Sequence, residues 1–310
     1  MRSRRGTAVA AALLLAALAA AGCGLGPGEE VGDVELTVTH DFGAEPVLET
    51  QVGGVTESDT VMRVLEGEAE ITTRYGGGFV QSIDGVEGEQ RGARARDWFF
   101  FVNGVESPIG AAEFDLEGGE RIWWDYRDWT AASRVPAVVG SWPAPLRGGY
   151  NGRVHPVVLE CEGGGGACAV ARRALAAAGV ELASGSPQGV IRVLVGPWQR
   201  LRSDSAAALL AAGPAESGVY AEFEETEGAT RLHGLDPAAT DARAFGPDTG
   251  LVAATRRYEA PPTWLVTGAT VAAVRVAAEA LDAASLRDHY AVAVEGGQTT
   301  PLPVDPSAGG

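Results

Sequence analysis

Between Val34 and Trp129 the period of the apolar positions changes several times. VELTV alternates, with Val34, Leu36 and Val38 on one face, which predicts a strand. SDTVMRVLEG offers Ser58 or Asp59 as an N-cap, carries Val61, Val64 and Leu65 at helical spacing, and stops at Gly67. AEITTRY and GGGFVQSIDG read as two strands about a glycine turn. DWFFFVNG, residues 97–104, is a strand running into Asn-Gly, the strongest short hairpin signal. ERIWWDYRDW closes the series.

Residues 131–156 turn to Pro and Gly and read as a linker or crossing segment. Beyond them PVVLEC, GVIRVLVG, GVYAEFEE, TRLHGL, GLVAATRRY, TWLVTG and HYAVAV read as strands. ACAVARRALAAAGV, SDSAAALLAAG and ATVAAVRVAAEAL read as helices. The expected fold class is α+β, a small β-rich domain with one helix followed by a mixed α/β domain.

One feature of this pattern is unusual. Alternation places Trp98 and Phe100 on one face of their strand and Phe99 and Phe101 on the other, so both faces are apolar. Residues 75–129 hold 11 of the 21 aromatics, so the excess is local to this half. One face must be core. The other is either a binding platform or a second packing surface. On the closing strand Asp125 and Arg127 share a face with Trp123, which marks that face as the wetter one. Trp123 is therefore the expected exposed platform residue, with Trp124 in the core.

The N-terminus is an address. MRSRRG is followed by an Ala/Leu-rich run, too short to span a bilayer and ending at Gly22-Cys23. Residues 1–22 are expected to be a lipoprotein signal and Cys23 the lipidated mature terminus, with 23–33 a tether. The alternative is ordinary cleavage that leaves Cys23 a plain residue. Loss of residues 1–22 removes three arginines and takes the formal charge from −17 to −20. That acidity argues against nucleic-acid binding. Cys161 and Cys168 flank EGGGGA. Two cysteines without a nearby His are a poor zinc set, so a disulfide is favoured over a metal site.

Three stretches carry a resemblance. Phe79-Val-Gln-Ser-Ile-Asp-Gly85, Trp98 to Gly104, and Gly119-Glu-Arg-Ile122 with Trp124-Asp-Tyr126 resemble the transcobalamin-like C-terminal domain, also called DUF4430, of bacterial secreted proteins and lipoproteins. The resemblance covers about residues 34–130, and residues 157–304 resemble the second half of longer actinobacterial members. The tail is 305–310. The resemblance implies binding of a small flat ligand, with a corrinoid such as cobalamin the first to consider. The ligand residues expected from it and from the aromatic pattern are Phe79, Phe99, Phe101, Asn103, Trp123 and Tyr126. No other cofactor is expected.

Catalytic motifs are not found. The sequence has no Gly-x-Ser-x-Gly, His-Glu-x-x-His or P-loop pattern, and His40, His155, His233 and His289 are scattered. The expected protein is thus not an enzyme. It is a lipid-anchored extracytoplasmic protein that binds a small molecule and passes it to an uptake transporter. The alternative is a cell-envelope module that meets a protein or glycan.

Overall fold

The computed structural model describes residues 28–163, 165–185, 187–226 and 228–305. The signal segment, Cys23 and the last five residues lie outside them. The fold is α+β and rich in strands.

The first half is built on a sheet of β1 (Glu30–His40), β2 (Glu45–Thr56), β6 (Glu89–Arg91), β7 (Arg94–Val102), β8 (Val105–Glu106) and β9 (Arg121–Asp128). The order is β2-β1-β9-β7-β6, with β8 hairpinned onto β7. β1 and β9 run parallel, and the other pairs are antiparallel. A smaller sheet of β3 (Ile71–Arg74), β4 (Phe79–Ile83) and β5 (Val86–Glu87) packs beside it. The helix Val61–Glu68 is capped by Thr60, whose side chain accepts from the Arg63 N–H. The two sequence candidates lie just upstream. Asp59 instead accepts from Thr56 through both its N–H and its hydroxyl. β1 begins at Glu30, so the last residues assigned to the tether are already strand.

The second half carries β10 (Val157–Cys161), β11 (Ile191–Val195), β15 (Gly250–Thr255), β16 (Thr263–Gly268), β17 (Ala291–Glu295) and β18 (Gln298–Leu302), in the order β10-β11-β16-β15-β17-β18. The first three in that order are parallel, and the rest pair antiparallel. Helices Gly166–Ala177 and Val271–Glu279 cover one face, and helix Ser205–Ala211 covers the other. A separate sheet holds β12 (Ala221–Thr226), β13 (Ala229–Leu235) and β14 (Asp241–Ala244). Cys161 and Cys168 are joined as a disulfide with Cα atoms 6.0 Å apart, tying the end of β10 to the first turn of its crossover helix.

Both faces of the first sheet are interior. Leu36, Val38, Trp98, Ile122, Trp124 and Tyr126 pack with the helix Val61–Glu68. On the opposite face Phe101 and Trp123 close with Phe42, Val135, Val138, Tyr220, Leu235 and Tyr290. Residues 131–156 are therefore no solvated linker, because Val135, Val138, Val139, Trp142 and Leu146 are buried. Pro and Gly give that crossing its bends, and its apolar residues fill the seam between the halves.

Candidate functional site

Trp123 is fully buried, so it is not a platform. Its ring meets Phe101 and Tyr290 at 5.5 and 5.4 Å, and its indole N–H donates to Thr39 Oγ1 at 2.8 Å. Asp125 and Arg127, expected to be wet, are also fully buried. Asp125 accepts from Thr39 Oγ1 (2.6 Å), the Phe42 and Gly43 N–H groups (both 3.1 Å) and Tyr290 Oη (2.9 Å). Burial pushes its carboxyl pKa up, and these donors oppose the shift. The Arg127 guanidinium donates to the Ala132 carbonyl at 2.8 Å and sits 3.9 Å above the Phe99 ring. These charges were misread because their partners lie on other segments, beyond the reach of strand periodicity.

Three other expected ligand residues are structural. Phe101 is buried in the seam. Asn103 sits at φ +51 in the hairpin turn, accepts the Arg121 N–H, and donates to the Gly149 carbonyl at 2.8 Å. Tyr126 is buried on the helix side, donates to the Glu87 carbonyl and lies under Arg96. The cause is common to all of them: the second half closes one sheet face, and the helix with β3–β5 closes the other.

Phe79 and Phe99 do meet at a cleft. Phe79 is 40% exposed and forms the common wall of two hollows. One, of about 170 Å³, is lined by Phe79, Phe99, Phe100, Trp124, Ala111 and Glu106. The other, of about 190 Å³, is lined by Arg74, Phe79, Gln81, Arg96, Asp97 and Trp129. Tyr75 (87% exposed) packs edge-on against Phe79, and Trp129 is 38% exposed. The glycine loop gives Tyr75 and Phe79 their position, with Gly76 and Gly77 at positive φ.

Polar groups at the cleft are incompletely satisfied. The buried Trp124 Nε1 has no hydrogen-bond partner, and neither has Glu106 Oε2. Arg134 Nε lies 3.5 Å from that oxygen. Burial pushes Glu106 up, with Arg134 and Arg127 opposing. Asp97 is also pushed up by burial, although its carboxylate accepts the Trp98 N–H at 2.9 Å.

Backbone pairing leaves a gap at the same place. The Asn103 N–H to Arg121 and Trp129 N–H to Ala95 bonds fix the register, so odd residues of β7 bond β9. The backbone groups of Trp98 and Phe100 point to the other edge. There β6 pairs only as far as Arg96, and β8 begins pairing at Phe101.

This aromatic, partly unpaired edge lies inside a recognisable module. Residues 58–128 match the family model described as a domain of unknown function, DUF4430. The chain carries a DUF4430 domain. β1 and β2 precede the matched residues, yet they belong to the same sheet, with β1 paired between β2 and β9. A solved structure from Ruminococcus gnavus ATCC 29149, described as a candidate metal-binding protein, is 17% identical. The likeness covers 31% of this chain and 97% of that one, with a TM-score of 0.25. No curated protein matches the chain. Among the described residues no three His, Cys, Asp or Glu side chains gather as a metal site.

Trp124, Glu106, Asp97 and Trp129 were not foreseen as site residues. Trp129 carried a usable signal, since it follows the last strand and so escapes the alternation that buries its neighbours.

Proposed function

We propose that this chain is an extracytoplasmic binding protein, anchored to the membrane through Cys23, that captures its ligand at the Phe79 cleft. The observation that carries this reading is Phe79 itself, a large aromatic exposed as the shared wall of two hollows. The hollows admit a ring-sized flat apolar group. Trp124 and Glu106 line one hollow with Phe99 and Phe100, so a flat ring with a polar edge, such as a carboxamide, is the chemistry to try first. A corrinoid is too large to be enclosed here. It would enter by its rim, which carries amides, and its disc would remain on the open aromatic surface. Held at the membrane, such a protein is placed to hand its ligand to an uptake transporter. No catalytic step belongs to this reading.

The test is titration with cobalamin and with benzamide, a flat ring bearing a carboxamide, followed by fluorescence quenching and calorimetry. Phe79→Ala is expected to weaken binding by about 1–3 kcal/mol, by analogy with aromatic stacking and hot-spot truncation. Equal binding by the variant and the native protein refutes the cleft as the site.

A second reading is an envelope interaction module, and the continuity of the surface favours it. The hollow beside Arg96 shares Glu89 and Arg96 with a third of about 350 Å³. That one shares Asp41 and Pro237 with a cavity of about 750 Å³ between the two halves. A groove of that course suits an extended chain better than a disc. Failure of both small probes at millimolar concentration would move this reading ahead.

A further inference from the structure

The distance between anchor and fold limits which face can meet the bilayer. This inference rests on the anchored reading above. Val31 is eight residues beyond Cys23. Residues 28–31 already belong to the fold, where the Glu57 N–H donates to the Glu29 carbonyl and β1 starts at Glu30, so the five residues from Cys23 to Gly28 span at most about 18 Å. A folded body of this size is on the order of 50 Å across. The membrane is therefore held against the side where β1 starts, and the opposite side stays clear of it.

That side has a distinctive surface. Val31 lines an open hollow of about 640 Å³ together with Pro108, Ile109, Phe114, Asn151 and Gly152. Ile109 is 45% exposed. Asn151 and Gly152, both at positive φ, form the tip of a tight turn in which Tyr150 and Arg153 exchange backbone hydrogen bonds. The next residue, Val154, is 68% exposed. The turn is pinned from behind by Asn103, which donates to the Gly149 carbonyl. Two exposed aliphatic side chains, Ile109 in the hollow that Val31 lines and Val154 just past the turn that borders it, thus lie on this side of the fold.

We propose that the face carrying Ile109 and the Asn151–Val154 turn rests on the membrane that holds Cys23, with both aliphatic side chains among the lipid headgroups. Attachment by the lipid raises the effective concentration of this face at the bilayer, so a contact too weak to recruit a free protein suffices. Glu57, Glu113, Asp115 and Glu117 border the same hollow or its rim. They keep the contact shallow and favour neutral over anionic lipid. Ser107 and Gly110 flank Ile109 and line the Phe79 cleft, so the cleft sits beside the membrane, where a membrane-embedded partner can reach it.

The experiment uses full-length lipidated protein on phosphatidylcholine vesicles, with Ile109→Cys, Val154→Cys and Val271→Cys each labelled with an environment-sensitive fluorophore. Val271 is 52% exposed and lies near Gly165, beyond the end of β10 opposite to Val154. Brominated lipid should quench the first two labels at least twofold more than the third. Equal quenching at all three positions on vesicle-bound protein overturns the membrane face and leaves the anchor standing. If the protein does not sediment with vesicles, and Cys23→Ala behaves like the native protein, the anchored reading falls and takes this inference with it.

Discussion

Replacing Trp123 by Ala tests whether the second face of the DUF4430 sheet is core. Trp123 is fully buried between Phe101 and Tyr290, and glycine backbone crowds its ring edge. A Cβ on Gly140 would stand 2.8 Å from Trp123 Cζ3, and one on Gly43 would stand 3.0 Å from Cζ2. The site cannot collapse easily, because its walls are two backbone segments and a second aromatic cluster. Truncation of a buried Trp costs about 3–5 kcal/mol. Loss of the hydrogen bond to Thr39 adds to that, since Thr39 also holds Asp125. For a chain of this length about 4 kcal/mol corresponds to a melting-point fall of roughly 6–7 °C. Trp124→Ala, on the helix-side face, should fall by a similar amount. Thermal unfolding followed by near-ultraviolet circular dichroism reads both. If Trp123→Ala melts within about 3 °C of the native protein, the seam is not a packed core and the platform reading returns.

Three further outcomes follow from buried groups and the cross-link. Burial pushes the Glu120 carboxyl up to about 7 from an ordinary 4.5, so the folded state holds a proton that the unfolded chain has lost between those values. Stability should therefore fall as pH rises through that window, by roughly 3 kcal/mol at most. Glu120→Gln should melt higher than the native protein at pH 8 and equally at pH 4; no difference at pH 8 would contradict this. Asp125→Asn sets an NH₂ against backbone N–H donors on Phe42 or Gly43 and should cost about 3 kcal/mol or more in urea unfolding. Tyr290→Phe removes a single donor from the same carboxylate and should cost less. Breaking the Cys161–Cys168 bridge opens a short loop and should cost about 2–3 kcal/mol in the loop-entropy model. Intact mass after alkylation without reductant checks that the bridge is present, and two free thiols would refute it.

Much of the architecture was legible because it is local. The Asn-Gly hairpin and the period-2 runs need only neighbours in sequence, and the strands from β10 to β17 were mostly readable from them, whereas the cap of the helix Val61–Glu68 lies one residue beyond the sequence candidates. β2 was not, because it is an edge strand with most of its side chains in water, and so carries no apolar alternation. The polarity of the seam was misread for another reason. A charged residue reads as wet unless its partners are visible. The partners of Asp125 lie at positions 39–43 and 290, and those of Arg121 include Glu35 and Asp288. Backbone donors and distant carboxylates satisfied these charges inside the protein.

The same closure decides where binding can occur. A sheet offers a ligand two faces and its edges. Here the helix Val61–Glu68 with β3–β5 takes one face, and Tyr220, Leu235, Tyr290 and the crossing segment take the other. What remain are the outer edge of β2 and the stretch of β7 between its two partners, where pairing lapses between Arg96 and Phe101. An open edge of this kind invites unwanted strand pairing. Asp97 counters that by turning its carboxylate onto the Trp98 N–H and occupying the first donor. Gly88 makes room for it, since a Cβ there would come within 2.7 Å of Asp97 Oδ1. The chain thus guards one end of the gap with a carboxylate and leaves the other end to Phe79 and Phe100. An edge protected along its whole length would be covered or charged throughout, and the aromatic end is neither, which is why the proposed ligand site is placed there.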